Sequence, residues 1–403
     1  MDDKTQPSGR LYLKAGRVKP VFYRHPWIFG RTVERVDPGV SPGDIVEVVD
    51  PMDNRLGYAF YNPGPDLVAK VFHHGDPPGT FDQFFFESRL RHALGRRERA
   101  GLWEVTDAGR IAFSESDGLP GLIVDAYPGW VVVEVLSLAM MQRVETVCNA
   151  LRTMMPDRRV LLKTDASTAR IEGFEAFGAH PADGGDPPGE LTLVEHGVSF
   201  KVDILKGHKT GFYFDQRDNR RRLAAYTHGA ELLDAFCYTG AFGVHALVRG
   251  GAASVTALDS SPAVLEAAEV NYRANGCTAF ETIKGRARSV LKDMAAQGRT
   301  FDVVVLDPPK LAPGRKGLKK ALGAYTEINA LALGLIRPGG TLVSSSCSGA
   351  LEVEAFLSML NRAAVEADRT VVMQEVGLQD VDHPVDVAFP ESLYLKCVFA
   401  RVE

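Results

Sequence analysis

Three carboxylates and one thiol stand at the ends of short apolar runs in this sequence. They are Asp234 and Asp259, Asp307 in "VVLDPPK", and Cys347 in "SSSCSG". Asp234 opens the stretch "DAFCYTGAFG", in which Gly240 sits at a turn. Asp259 lies 19 residues beyond Gly240. An acid at that distance suits a ribose diol, because one carboxylate accepts two hydroxyl hydrogen bonds. A nicotinamide cofactor would use the same acid, but its pyrophosphate calls for a GxGxxG loop, and those three glycine positions are not filled here. An acid heading the loop favours a cofactor with an ammonium group and no phosphate, as in S-adenosylmethionine. Pro308 and Pro309, which follow Asp307, lock an extended backbone without amide donors. Such a lip can hold a flat base against the carboxylate, or it can simply end a strand. Cys347, among Ser344, Ser345, Ser346, Ser348 and Gly349, suits either a packed thiol or one open to a substrate.

The elements that must position these groups are legible as an alternation from about residue 231 onward. "ELLDAF", "SVTALD", "AFETIK", "FDVVVLD" and "GTLVSSS" read as strands, separated by helical stretches at 241–250, 262–275, 287–297, 318–336 and 350–366. Alternating strands and helices imply a parallel sheet covered on both faces, with ligands bound beyond the carboxyl ends of its strands. The four groups are therefore expected in one crevice. "TVVMQEV" and "YLKCVFA" lack a full helix between them and read as a closing antiparallel pair. Upstream, residues 10–73 carry short β-like runs and suggest a small all-β module, followed by the linker "HHGDPPGT" (Pro77, Pro78, Gly79). A helix from about Asp82 to Ala100, a hairpin around Tyr127-Pro128-Gly129, one amphipathic helix over "AMMQRVETVCNALRTMM" and a strand "RVLLKTD" come next. A second Pro/Gly-rich connection covers 180–190.

A chain of 403 residues exceeds one ordinary core, so two or three domains are expected. No run reaches the roughly 18 apolar residues of a membrane span. The start "MDDKTQPSGR" is polar, unlike a secretory signal. Five cysteines without CxxC or His-pair spacing argue against a disulfide framework or a metal site, and for a reducing cytoplasm. Cys148, Cys277 and Cys397 read as packing residues, Cys237 as a small loop or core residue, and His383 as a turn histidine. Net charge is −5, yet the cations cluster: Arg89, Arg91, Arg96, Arg97 and Arg99; Arg217, Arg220, Arg221 and Arg222; Lys310, Arg315, Lys316, Lys319 and Lys320. Each cluster alone reads as a solvated face or loop, while together they are able to grip phosphates.

The motifs in order resemble the class I S-adenosylmethionine-dependent methyltransferases that make 5-methylcytosine in large-subunit ribosomal RNA and carry an N-terminal PUA domain. "HPWIFG", "GDIVEVVD" and "LGYAFYN" resemble the PUA portion, and "ESDGLPGLIVDAY" the central domain. "KTGFYFDQRDNR", "LLDAFCYTGAFG", Asp259 with the following "SSPAVLEAAEVNYRANG", "VVLDPPKLAP", "SSSCSG" and "DHPVDVAFPESLYLKC" resemble the catalytic domain. The resemblance implies a PUA-like β-barrel over 1–75, a central α+β domain over 80–190, and a Rossmann-like methyltransferase domain with a mostly parallel seven-stranded sheet over 195–403.

It also implies roles. Asp234, Phe236, Tyr238 and Gly240 would line the methionine part of S-adenosylmethionine, with Asp259 and Ser260 at the ribose. Asp215 and Gln216 would close over cofactor or base. Cys347 would be the nucleophile, its thiolate favoured by the sulfonium and Lys310. Asp307 would recognise and protonate the base edge, beside Pro308, Pro309 and Lys310. Two positions depart from the family pattern: Arg286 stands where many relatives carry an acid for the adenine amino group, and Lys310 where two-cysteine relatives have a second thiol. The implied partner is 23S ribosomal RNA or a large-subunit particle, with no membrane, and the upstream domains offer surfaces for a homodimer. Two other readings stand beside this one. One is a methyltransferase acting on an exocyclic amine of guanine or adenine, for which Lys310 replaces the expected aromatic; the other is a non-catalytic RNA-binding assembly factor.

Overall fold

The computed structural model describes residues 4–77, 79–311, 314 and 317–403, and these divide into two compact units. One unit contains residues up to Leu191, with Val202–Phe212 and Val381–Ser392; the other contains Thr192–Lys201, Tyr213–Asp380 and Leu393–Glu403.

The first unit holds two sheets. Strands β1 (Pro7–Leu13), β2 (Trp27–Phe29), β3 (Val33–Val36), β4 (Ile45–Val49), β5 (Arg55–Tyr61) and β6 (Leu67–His73) form a six-stranded sheet in the order β2-β6-β5-β4-β1-β3. Leu11, Leu13, Val46, Val48, Ala59 and Val71 fill its core. Strands β7 (Gly109–Phe113), β8 (Leu122–Tyr127), β9 (Trp130–Val135), β10 (Arg159–Thr164) and β11 (Ala179–Pro181) follow in the order β11-β10-β9-β8-β7. The hairpin expected at Tyr127–Trp130 joins β8 to β9. The helix Gln83–Arg99 begins where the Asp82 carboxylate accepts the amides of Phe84 and Phe85, and it buries Phe85, Phe86 and Leu90.

One helix was expected over 139–155; there are two, Leu138–Met141 and Val144–Met154. The cause is tertiary. Arg143 at the break is buried, and its guanidinium donates to the carbonyls of Ala139, Gly43 and Lys4.

In the second unit β12 (Leu191–Glu195) and β13 (Val198–Val202) pair, and seven strands form the main sheet. These are β14 (Glu231–Ala235), β15 (Ser254–Asp259), β16 (Phe280–Lys284), β17 (Phe301–Leu306), β18 (Ile336–Ser346), β19 (Val371–Gly377) and β20 (Lys396–Val402), in the order β16-β15-β14-β17-β18-β20-β19. The first five strands in the chain run parallel, and β20 lies antiparallel between β18 and β19. The apolar runs of β14, β15, β17, β18 and β20 are buried, as a sheet covered on both faces requires, while the edge strands β16 and β19 are only partly covered. Strand order reverses at β14, whose neighbours are β15 and β17, and Ala235 pairs with Leu306 there. Such a switch point opens a crevice at the strand ends. Asp234 and Asp307 flank it. Cys277 lies just past the helix Pro262–Ala274 rather than within it, and is half-buried.

Candidate active site

The loop after β14 is tied to β15. The amides of Phe236 and Cys237 both donate to the Leu258 carbonyl, and the Tyr238 amide donates to Asp259 Oδ2 at 3.3 Å. Phe236 and Tyr238 adopt φ of 64° and 49°, a left-handed geometry that non-glycine residues hold only when their surroundings impose it. Gly240, at φ 77°, starts the helix Ala241–Val248; a Cβ there would press on Ala268 and Tyr272 at 3.1 Å. Asp259 Oδ1 accepts the Ser261 amide at 3.0 Å, which fixes the carboxylate at the strand end.

Asp234 is fully buried. Its Oδ2 accepts the Gly243 amide at 3.1 Å, and its Oδ1 has no partner. Burial, with Asp307 and Asp259 adding negative potential, pushes this carboxyl up to about 7. A buried orphan oxygen in a field that disfavours its own charge fits a cationic ligand group. Beside it is a cavity of about 310 Å3 lined by Phe236, Leu258, Ser260, Ala287, Ala324 and Ile328. Arg286, Arg288 and Glu327 stand at its polar margin. Gly285 packs closely here: a Cβ would meet Val290 Cγ2 at 2.4 Å, so that side chain would have to move. These residues fit S-adenosylmethionine: a buried carboxylate for the ammonium, Asp259 with lone pairs left for the ribose, and an apolar slot for the adenine. The wall from the helix Leu318–Leu335 (Ala324, Glu327, Ile328) was not anticipated from the sequence, because nothing local marks it.

Asp307 follows β17, and Cys347 follows the neighbouring β18. Gln216 Nε2 donates to Asp307 Oδ1 at 3.0 Å. Desolvation and the nearby Asp215 push the Asp307 carboxyl up to about 7. Pro308 is buried, while Pro309 and Lys310 are exposed. Tyr394 donates to Asp215 Oδ2 at 2.6 Å, and the Tyr213 ring meets Tyr238 edge-on at 5.2 Å. Asp215, Gln216, Asp307, Lys310 and Cys347 thus form one cluster, separate from Asp234 only by a strand spacing.

In the ligand-free protein burial, then Asp307 and Asp215, push the Cys347 thiol up to about 12, while Lys310 acts in the opposite, expected direction. The reading of the arginine clusters is corrected. Arg217 and Arg220 are neither solvated nor free to grip phosphate. Arg220 makes a bidentate pair with Glu195 at 2.7 Å, to which His245 also bonds at 3.0 Å, and Arg217 pairs with Asp380. In the first unit Arg97 is likewise fully buried, bidentate to Asp117 at 2.7 Å. His383, read as a turn histidine, does lie in a bend, and it is buried beside Asp382. Arg315 and Lys316 lie outside the described residues. Arg89 and Arg96, by contrast, line a groove of about 560 Å3 in the first unit with Arg24, His73, His74 and His92; Glu115, Asp117 and Asp386 also reach it. Arg89 donates to the Phe72 carbonyl at 3.3 Å and meets His73 Nδ1 at 3.0 Å.

Lys396, which the sequence did not mark, is a further buried cation near this cluster. It is buried at the start of β20, and burial lowers its ammonium to about 8 despite the attraction of Cys347.

A seven-stranded sheet in this order, with acids at the strand ends flanking the switch point, defines a class I S-adenosylmethionine-dependent methyltransferase fold joined to a PUA-like module. The chain belongs to the S-adenosylmethionine-dependent methyltransferase family: the family model so described matches residues 178–385, and a PUA-like domain model matches 11–74. Among curated proteins it is similar to ribosomal RNA large subunit methyltransferase I of Aeromonas hydrophila, 38% identical over 98% of this chain and 99% of that one. The protein of the same name from Cronobacter sakazakii is 36% identical over 96% of this chain and 98% of its own. Among solved structures, a methyltransferase complexed with SAH superposes with a TM-score of 0.84 at 19% identity, covering 97% of this chain and 99% of that chain. A second, from Streptococcus mutans, gives 0.83 at 19% identity over the same shares. The cofactor is S-adenosylmethionine, and the non-catalytic reading is set aside.

Proposed function

We propose that the protein methylates C5 of a cytosine in large-subunit (23S) ribosomal RNA through a covalent adduct at Cys347. The observation that carries this is the placement of a thiol and a carboxyl with raised affinity for its proton, Cys347 and Asp307, at the ends of adjacent parallel strands beside the cofactor crevice. The relatives' names supply the RNA.

S-adenosylmethionine, when bound, supplies an electrophilic methyl group. The chain's residues make cytosine able to accept it. Cytosine C5 is a poor nucleophile. Cys347 Sγ adds to C6 as a thiolate, and N3 takes a proton from Asp307, so the ring becomes enamine-like at C5. After C5 takes the methyl group, a base removes the C5 proton, Sγ leaves as the thiolate, and N3 returns its proton to Asp307, which restores the neutral ring. Asp307 is suited to the donor role because its site raises its proton affinity into the neutral range, to about 7. Asp234, Phe236, Tyr238, Gly240, Asp259 and Ser260 hold the cofactor, with Gln216 joining it to Asp307. Pro308, Pro309 and Lys310 form the lip for the unstacked base.

The upstream regions, 1–75 and 80–190, present RNA-binding surface, with the groove of Arg24, Arg89 and His92 as the phosphate contact. Ribosomal RNA as substrate places the activity in the cytoplasm.

Nucleoside mass spectrometry tests this reading, on ribosomal RNA from cells lacking the protein, incubated with S-adenosylmethionine. Wild type forms 5-methylcytidine and Cys347→Ala forms none. A methylated guanosine or adenosine made equally by both would assign the exocyclic amine instead.

A further inference from the structure

Lys396 lies cross-strand from Ser346 and is only 3% exposed. Its ammonium donates to the carbonyls of Ser348 at 2.7 Å, Tyr394 at 3.0 Å and Leu351. All three are neutral acceptors. A buried cation without an anionic partner is costly, and a lysine is a poor choice for the sole purpose of joining three carbonyls. Its backbone pairs with residue 346 and its side chain bonds the carbonyl of 348, so the lysine brackets Cys347.

We propose that Lys396 is the positioning residue of Cys347: it pins the turn Ser348–Leu351 behind the thiol, and its ammonium is the counter-ion of the thiolate. Among the described residues, the charged and titratable groups around the thiol are few. Asp307 and Asp215 oppose its ionisation, exposed Lys310 favours it, and the Tyr213 and Tyr325 hydroxyls add no charge near neutrality. Lys396 is the cation enclosed with the thiol. When Sγ ionises, its proton leaves to water and Lys396 keeps its own three. The field of a fixed ammonium then takes the place that a histidinium holds in other reactive thiol sites.

The inference rests on Cys347 as nucleophile, but its test reads the thiol directly, without RNA or cofactor. Full-length wild type, Lys396→Gln, Lys396→Met and Lys396→Arg are treated with iodoacetamide from pH 7 to pH 10. Alkylation of the Cys347 peptide is followed by mass spectrometry, which separates it from the other four cysteines. Glutamine still donates to two carbonyls but has no charge. Loss of a nearby cation raises a thiol by about one pH unit or more, and higher intrinsic nucleophilicity returns part of the lost rate. Lys396→Gln is therefore alkylated roughly three- to fourfold more slowly at a fixed pH, or slower still, and Lys396→Arg recovers the wild-type rate. Glutamine and wild-type rates that coincide across the range overturn the counter-ion.

Wild type alone gives a second reading should the variants fold poorly. Above about pH 8, where Lys396 loses its proton, the rate climbs less than tenfold per pH unit; a strict tenfold climb to pH 10 overturns the proposal. A failure of the cytosine reading looks different, because Cys347→Ala would then remain active on RNA.

Discussion

The Gln216 carboxamide donates a hydrogen bond to Oδ1 of Asp307 at 3.0 Å, while its own oxygen accepts from Asn219 at 2.6 Å. The bond favours ionised Asp307, against desolvation and Asp215, which together hold that carboxyl at about 7. In the proposed reaction Asp307 must be protonated and Cys347 ionised, so kcat/KM climbs with pH up to about 7 and runs as a level limb above it. Asp307→Asn lowers the rate by about 10²–10⁴ and removes that limb. Gln216→Ala removes a bond to the ionised form, and the limb moves to higher pH. A pH–rate profile of the three proteins checks both shifts; an unmoved limb in Gln216→Ala would separate Gln216 from Asp307.

Asp234 couples stability to pH in the ligand-free protein. Its folded value, about 7, lies above the usual carboxylate range, so it is neutral in both folded and unfolded states at pH 3. Between about pH 4 and 7 the unfolded chain ionises first, and the folded protein loses stability as pH rises. Asp234→Asn removes this penalty: its melting temperature exceeds that of wild type at pH 8, and the gain vanishes at pH 4. The same variant loses the ammonium contact and binds S-adenosylmethionine at least tenfold more weakly by calorimetry. Unchanged affinity would remove Asp234 from the cofactor site.

Arg97 and Asp117 are a fully buried bidentate pair, and Arg97 also donates to the Asp382 carbonyl at 2.8 Å. Arg97→Met leaves the Asp117 charge without its main partner and costs about 3–5 kcal/mol in urea unfolding. Arg97→Met combined with Asp117→Leu recovers part of that loss, since replacing both members of a buried pair is far less damaging than removing one.

The groove carrying Arg24, Arg89 and His92 is expected to touch RNA phosphates. Arg24→Ala with His92→Ala raises KM for RNA and leaves kcat unchanged. The salt dependence of RNA binding becomes shallower by about 0.7–0.9 in log–log slope for each phosphate that the protein no longer neutralises. Filter binding at several salt concentrations measures it. An unaltered slope would move the RNA elsewhere.

The strand-end groups Asp234, Asp259, Asp307 and Cys347 were legible because a parallel sheet fixes where each apolar run must end, and the residue after the run is then at the crevice. The same local logic located β19 and β20 as an antiparallel pair. It failed where distant partners decide. Arg97, Arg217 and Arg220 read as helix-face cations, and only their carboxylate partners, Asp117, Asp380 and Glu195, take them inside. Arg143 interrupts a helix whose own periodicity is continuous, by donating to carbonyls about 100 and 139 residues away. Lys396 sat unnoticed in "YLKCVFA" because a lysine within an apolar strand signals nothing until its three carbonyls are known.

The position of β20 between β18 and β19 has a consequence for synthesis. A nascent chain that has just emerged through Gly377 already contains the strands that carry Asp234, Asp259 and Asp307, yet β18 has an open edge and Lys396 is still to come. Under the role proposed for Lys396, a ribosome-bound chain acquires its cofactor pocket early and lacks the counter-ion of its thiol until residues 396–402 insert. Order of emergence alone would keep an immature enzyme from acting on the RNA of the machine that is making it.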